Sequence, residues 1–303
     1  MQSVVIGNFD GVHCGHRHLL RAARAVPGTE RVLAVTFEPL PAEVLRPDAG
    51  MGRLTPAEFR RGLLLGPGGA DEVVELDPRE GILGLDPEAF IAFLHTMRPF
   101  GAIVEGPDFR FGKGRSGSLE TLRALGSSFG FEAIEAPLAS VALTDGSTVE
   151  ARSSTVRALL AEGRVADAAC VLGRPHELVC TTVRGDQRGR TIGWPTANLD
   201  AAGWILPADG VYAGEATCPD GVTATAAISV GTKPTFGESA RTCEATLLAA
   251  DGSPLSLPLD WYGWTIRLRF HRFIRAQVRF EGVEALLERM ELDRAAVLGA
   301  TRV

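Results

Sequence analysis

Two clusters of residues in this sequence have types and spacing suited to phosphate chemistry. The first is Gly7-Asn8-Phe9-Asp10-Gly11-Val12-His13-Cys14-Gly15-His16, which follows the apolar run Val4-Val5-Ile6 and leads into a helical pattern from Arg17 to Val26. Its three glycines let the backbone approach a bulky anion. The histidines flank Gly15 where the turn becomes a helix, so imidazoles and free N–H groups can converge on phosphate. The plainer reading is an ordinary turn with surface histidines, because Gly-Asn and Asp-Gly are common turn formers. A zinc site built on His13, Cys14 and His16 is the weaker idea, since no second Cys/His cluster completes a tetrahedral ligand set. Glycine and histidine this dense at a strand-to-helix junction favour a cradle for ATP phosphates.

The second cluster is Gly193-Trp194-Pro195-Thr196-Ala197-Asn198. Side chains two apart in an extended segment point the same way, so Thr196 and Asn198 can face one ion. Such hard oxygen ligands suit Mg²⁺ shared with nucleotide phosphates; taken alone, Pro-Thr-Ala-Asn is also an ordinary turn. Glu244 falls on an alternating strand pattern, where a solvent-facing carboxylate is the common outcome.

Two more stretches carry charge where a ligand could use it. Gly106-Pro107-Asp108-Phe109-Arg110-Phe111-Gly112-Lys113-Gly114-Arg115 follows an apolar run and reads either as a basic surface loop or as a ligand loop at a strand end. Arg152-Ser153-Ser154-Thr155-Val156-Arg157 reads as a serine-capped helix start, with Gly163 as its stop. Arg157 would then lie near a helix N-terminus, where the macrodipole favours phosphate.

The elements that must position these residues differ between the halves. From Val4 to about Gly173, strand-like runs alternate with helical patterns, the rhythm of an α/β layer with a mainly parallel sheet. Strands are expected at Val4–Ile6, Arg31–Phe37, Glu72–Leu76, Ala102–Glu105 and Phe131–Ala136. Thr55-Pro56-x-Glu58 and Asp86-Pro87 read as helix starts. Ligands of such sheets bind outside the C-terminal strand ends, where the first cluster lies. After Leu172-Gly173-Arg174-Pro175 come short strands at His176–Arg184, Gly210–Thr217, Val222–Val230, Cys243–Leu248 and Thr265–Phe273, the pattern of a small β-barrel or sandwich. A last amphipathic helix, Gly282 to Ala300, carries Val283, Leu286, Leu287 and Met290 on one side to pack against the barrel or plug it. This places the domain boundary at 173/174.

At 303 residues and 45% hydrophobic content the chain can build two cores. A net charge of −6 with no basic tract argues against nucleic-acid or membrane-surface partners. Five widely spaced cysteines, Cys14, Cys170, Cys180, Cys218 and Cys243, argue for free thiols in the cytoplasm. There is no signal-peptide pattern and no membrane-spanning apolar run. Trp261 and Trp264, around Tyr262-Gly263, are expected to pack rather than stack on a ligand. His95, His176 and His271 are isolated and receive no chemistry.

The first cluster resembles the His-x-Gly-His signature of the nucleotidyltransferase superfamily, in the form found in the bacterial bifunctional riboflavin kinase/FMN adenylyltransferase family. The 106–112, 153–157 and 193–198 strings follow in that family's order, as do Leu206–Tyr212, Ser229–Phe236 and Arg241–Ala245. The likeness runs from about residue 3 to 290. It implies a Rossmann-like α/β nucleotidyltransferase domain, residues 1–173, followed by an antiparallel β-barrel riboflavin kinase domain with a C-terminal helix, residues 174–303. It also implies two activities using Mg²⁺ and ATP, riboflavin to FMN and FMN to FAD.

By the same resemblance, His13 and His16 are catalytic. Gly7, Asn8, Phe9, Asp10, Gly11, Gly15, Ser153, Ser154 and Arg157 bind ATP in the first domain, and Gly193 and Pro195 bind it in the second. Asp108 and Phe109 hold flavin or adenosine, Arg110 and Lys113 offer charge to phosphates, and Thr196 and Asn198 hold the metal. Glu244 is the general base, Arg275 helps hold flavin or nucleotide, and Lys233 is a secondary phosphate contact. Two positions depart from the family: Leu40, usually histidine, and Arg152, usually serine. They motivate two alternatives, a monofunctional riboflavin kinase with a weakened first domain and a non-catalytic flavin-binding paralogue.

Overall fold

A computed structural model describes residues 1–47, 50, 52–185, 193–232, 241–255 and 261–301. The chain forms two compact units, one of Met1–Val141 with Thr148–Ser153, the other of Ala142–Ser147 with Ser154–Val303. Among the described residues no helix is long and apolar enough to cross a membrane.

The first unit is built on five parallel strands: β1 (Gln2–Ile6), β2 (Arg31–Phe37), β3 (Glu72–Leu76), β4 (Ala102–Glu105) and β5 (Glu132–Glu135), in the order β3-β2-β1-β4-β5. The helices are α1 (Cys14–Ala25), α2 (Pro41–Leu45), α3 (Ala57–Leu64), α4 (Pro87–Met97) and α5 (Leu119–Phe129). The central strands are apolar at successive positions because both faces of the sheet are covered. Val4, Ile6, Leu33, Val35 and Ile103 pack with Ile91 and Leu94 of α4 and Leu122 of α5. Val5, Val32, Ala34 and Val104 pack with Leu20 and Ala23 of α1 and Leu64 of α3. Strand order reverses between β1 and β4, which leaves a crevice at their C-terminal ends.

Asp86 caps α4 by accepting the Ala89 N–H at 2.8 Å, with Pro87 in the first turn. The parallel expectation for Thr55 is corrected. Pro56 is the N-cap of α3 without a side-chain bond, and the Thr55 hydroxyl accepts the Gly11 N–H at 3.0 Å instead. A short hairpin of β6 (Ser140–Ala142) and β7 (Thr148–Glu150), not anticipated from the sequence, precedes α6 (Ser153–Ala161) and α7 (Val165–Leu172).

The second unit holds a closed six-stranded barrel of β8 (His176–Val183), β9 (Ala197–Asp200), β10 (Gly210–Thr217), β11 (Thr223–Thr232), β12 (Arg241–Leu248) and β13 (Thr265–Arg275), in the order β10-β11-β12-β9-β8-β13. All its pairings are antiparallel, and β10 with β13 closes the ring. Helix α7 packs on β8 and β13. Helix α8 (Val283–Thr301) packs against β10, β11 and β13 through its second half. Val297 is the fully buried residue, beside Ala213 and Leu248, whereas Val283 is 56% exposed. Of the expected face, Leu286, Leu287 and Met290 are half-buried and Val283 is not, and the same face continues one heptad beyond Met290 to Val297. Trp261 is buried, and its carbonyl accepts the Thr182 hydroxyl at 2.5 Å, a packing role. Lys233 and most of the 185–190 approach lie outside the described residues.

Candidate active sites

Beyond β1 the chain turns through three residues with positive φ: Phe9 at 49°, Gly11 at 89° and Val12 at 40°. Glycine takes such angles freely, but Phe9 and Val12 hold them at a cost of about 1–3 kcal/mol each. Tertiary contacts offset that cost. Phe9 and Val12 are fully buried, and Asp10 Oδ1 accepts the N–H groups of Leu54 at 2.9 Å and Thr55 at 3.1 Å. The Asn8 carbonyl accepts the Thr36 hydroxyl at 3.3 Å and the buried Arg60 guanidinium at 3.1 Å. Desolvation lowers the pKa of Arg60, opposed chiefly by the Glu38 carboxylate 3.0 Å away.

The cradle thus reaches α1 in a fixed pose. His13 is the N-cap of that helix, and its ring stacks on His16 with centroids 3.6 Å apart; Phe9 meets His16 edge-on at 5.1 Å. A β-carbon on Gly15 would lie 2.5 Å from the Ala151 carbonyl oxygen and 3.0 Å from the His13 ring. No side chain fits there. Gly7 is different, since a β-carbon would meet only the Phe9 ring at an ordinary 3.5 Å. The Ser153 hydroxyl donates to the Asp10 carbonyl at 2.8 Å, which ties the serine motif to the cradle. Ser154 is exposed and Arg157 half-buried; both follow in α6, in the part of the chain that clusters with the second unit.

A cavity of about 200 Å³ opens at the crevice between β1 and β4, lined by His13, His16, Glu105, Asp108, Phe109 and Arg152 among others. Phe109 stacks on Phe111 at 5.5 Å. Arg152 pairs with Asp108 and, at 2.6 Å, with Glu150. Arg110 and Lys113 are exposed, and Arg110 donates to the Phe109 carbonyl at 2.7 Å. Glu105, at the end of β4, is 2% exposed and accepts the Ile6 N–H at 2.5 Å. Burial pushes its carboxyl well above the usual carboxylate range against that backbone bond, and the Asp108 carboxylate pushes the same way.

In the barrel, strand register makes the arrangement. Glu244 on β12 lies directly opposite Asn198 on β9 and, across its other edge, Ser229 on β11. Opposed antiparallel residues have Cβ atoms about 4.5–5.5 Å apart, so a carboxylate, a carboxamide and a hydroxyl form one row. Thr196 immediately precedes β9, after Gly193 at φ 79° and the buried Trp194. A β-carbon on Gly185 would lie 2.3 Å from the Asn198 amide nitrogen, so a side chain there would displace that carboxamide. Gln277 donates to the Ser229 hydroxyl at 2.9 Å.

Comparison with known proteins sorts these sites. Residues 1–149 match the FAD synthetase family and residues 172–300 the riboflavin kinase family. The bifunctional riboflavin kinase/FMN adenylyltransferase of Escherichia coli (strain K12) is 33% identical, over 99% of this chain and 93% of its own. The chain belongs to the bifunctional riboflavin kinase/FMN adenylyltransferase family. The Bacillus subtilis (strain 168) member is 30% identical over 96% of this chain and 90% of its own. A crystal structure of a macrolide-efflux protein from Streptococcus pneumoniae superposes with a TM-score of 0.82 at 28% identity, covering 98% of this chain and 93% of its own.

Within this family's motifs, three residues take positions the sequence did not suggest. Leu40 is 7% exposed, caps α2 through its backbone and does not line the cavity. Arg152 stands at the cavity beside Asp108. Arg275, expected at the flavin, donates to Asp293 of α8 at 2.6 and 2.8 Å, so its guanidinium anchors that helix. Sequence reasoning passed over Thr55, Arg60 and Glu105. The available signals were an arginine within an otherwise helix-start segment and a carboxylate ending an apolar β4.

Proposed function

We propose that this protein phosphorylates riboflavin with ATP in its barrel, giving FMN and ADP, and then adenylylates FMN with a second ATP, giving FAD and pyrophosphate. The observation that carries this reading is the presence of both matched families in one chain, each over its own cluster of site residues. As catalytic modules we assign residues 1–173 to adenylyl transfer and 174–303 to the kinase.

Both steps are in-line displacements at phosphorus, so the protein contributes positioning and charge stabilisation, and no nucleophilic side chain is required. In the kinase step Glu244 takes the proton of the riboflavin 5′-hydroxyl as its oxygen attacks the γ-phosphorus. The register that sets Glu244 against Asn198 supports this role, since base and ligand share one edge of the ladder. Thr196 and Asn198 offer neutral hard oxygens of the kind Mg²⁺ takes, and the bound ion supplies charge neutralisation at the ATP phosphates. Gly193 and Pro195 shape the approach of the nucleotide.

In the adenylyl step the anionic FMN phosphate attacks the α-phosphorus. His13, His16 and Ser153 steady the charge that builds there and on departing pyrophosphate, beside the backbone of Gly7, Asn8, Phe9, Asp10, Gly11 and Gly15. Ser154 and Arg157 join this set on the family motif alone. Asp108 and Phe109 line the wall for flavin or adenosine. We place the protein in the cytoplasm on the number and wide spacing of its five cysteines.

The test is a product assay with riboflavin, ATP and Mg²⁺, beside one started from FMN. FAD in both is expected. FMN alone in the first and no conversion in the second would leave only a kinase.

A further inference from the structure

Glu105 is an unusual group for a site that receives two phosphorylated substrates. It lines the cavity beside His13, His16 and Arg152 and is 2% exposed. The single hydrogen bond of its carboxyl group among the described residues comes from the Ile6 N–H, at 2.5 Å. The charged groups around it do not favour an anion. Asp108 repels it from the next turn, Arg152 is shared between Asp108 and Glu150, and Glu135, its register partner on β5, pairs with Arg123. The histidines lie on the cavity wall that follows β1.

Resting on the adenylyl-transfer reading of this cavity, we propose that Glu105 is a neutral carboxylic acid whose hydroxyl donates a hydrogen bond to an acceptor on the adenosine moiety of ATP. With Oε1 accepting from Ile6, Oε2 is the oxygen available to carry the proton. Burial raises the carboxyl's pKa and so favours the protonated form, in the same direction as the lack of a cationic partner among the described residues. The apolar lining from Leu19, Phe109, Pro137 and Leu138 suits a nucleoside, and a neutral donor spares the triphosphate a buried like charge. Glu105 is therefore a specificity and positioning residue, separate from the groups at the reacting phosphorus.

The experiment measures KM for ATP and kcat in the FMN-to-FAD reaction from about pH 6 to 9, with riboflavin phosphorylation by the same preparations as a control for folding. In the unmodified protein KM for ATP should rise with pH as Glu105 ionises. Glu105→Gln, which keeps a donor and cannot ionise, should abolish that rise. Glu105→Leu should raise KM about ten-fold at the low-pH end with little change in kcat, the loss of one hydrogen bond. A Glu105→Gln profile that still rises, or a Glu105→Leu KM equal to the unmodified value, would overturn the proposal. Failure of the unmodified protein to form FAD from FMN would instead overturn the reading of the cavity on which it rests.

Discussion

The two candidate sites are held together in opposite ways. In the parallel-sheet unit the cradle is a loop with two strained non-glycine residues, pinned by groups far away in sequence: Leu54 and Thr55 on Asp10, Arg60 on Asn8, Ser153 on Asp10 and Ala151 against Gly15. In the barrel, Glu244, Asn198 and Ser229 are aligned by the regular antiparallel register of three neighbouring strands. The first design fixes a loop on which donors can converge around a phosphate, at the cost of many partners. The second places side chains in a row with nothing irregular, so its chemistry depends on identity at each position.

The sharpest way to break the barrel side of this contrast is Glu244→Gln. It preserves the register and removes the base, and should lower FMN formation by roughly 10²–10⁴, measured as initial rate from riboflavin. FAD formation from supplied FMN should be unaffected. On the other side, His16→Ala deletes one donor and should lower FAD formation from FMN by about 10²–10³, with riboflavin phosphorylation intact.

Gly15→Ala tests the cradle's geometry without touching a donor. Its β-carbon would sit 2.5 Å from the Ala151 carbonyl. The resulting displacement of the histidines, of the order of an ångström, should cost about 10² in FAD formation. Riboflavin phosphorylation by the same variant is the control for folding.

The smallest effect concerns the barrel's resilience. His176 is buried with Nε2 3.0 Å from the Ile205 carbonyl oxygen, and burial pulls its pKa from 6.5 to about 4, opposed by that bond and helped by Arg174. The folded state therefore favours the neutral ring. Its contribution is complete above pH 6.5 and is lost as pH falls from 6.5 toward 4. Between about pH 7.5 and pH 5 this amounts to about 2 kcal/mol. In urea unfolding followed by tryptophan fluorescence, His176→Gln should shrink the difference between those two pH values.

Much of this arrangement is legible in the sequence wherever the controlling physics is local. The central strands β1, β2 and β4 announce themselves as apolar runs because both sheet faces are covered there, and the Asp86-Pro87 start of α4 is a signal contained within one turn. Thr55 shows the limit. Thr-Pro-x-Glu has the form of a helix start, yet the hydroxyl's partner is Gly11, chosen by the tertiary fold. The pairing of Arg275 with Asp293 is likewise set by the tertiary fold, since Asp293 lies on another element. For α8 the hydrophobic spacing identifies a helix but not which turns meet the barrel wall. Glu105 reads as an ordinary strand end, and its burial emerges only when β1 and β4 come together.

The most direct test of the two-site account crosses the single variants with the two starting substrates. The account expects Glu244→Gln to make FAD from FMN while failing to convert riboflavin, and His16→Ala to accumulate FMN from riboflavin without carrying it to FAD. Loss of both FMN formation from riboflavin and FAD formation from supplied FMN through either substitution alone would contradict it.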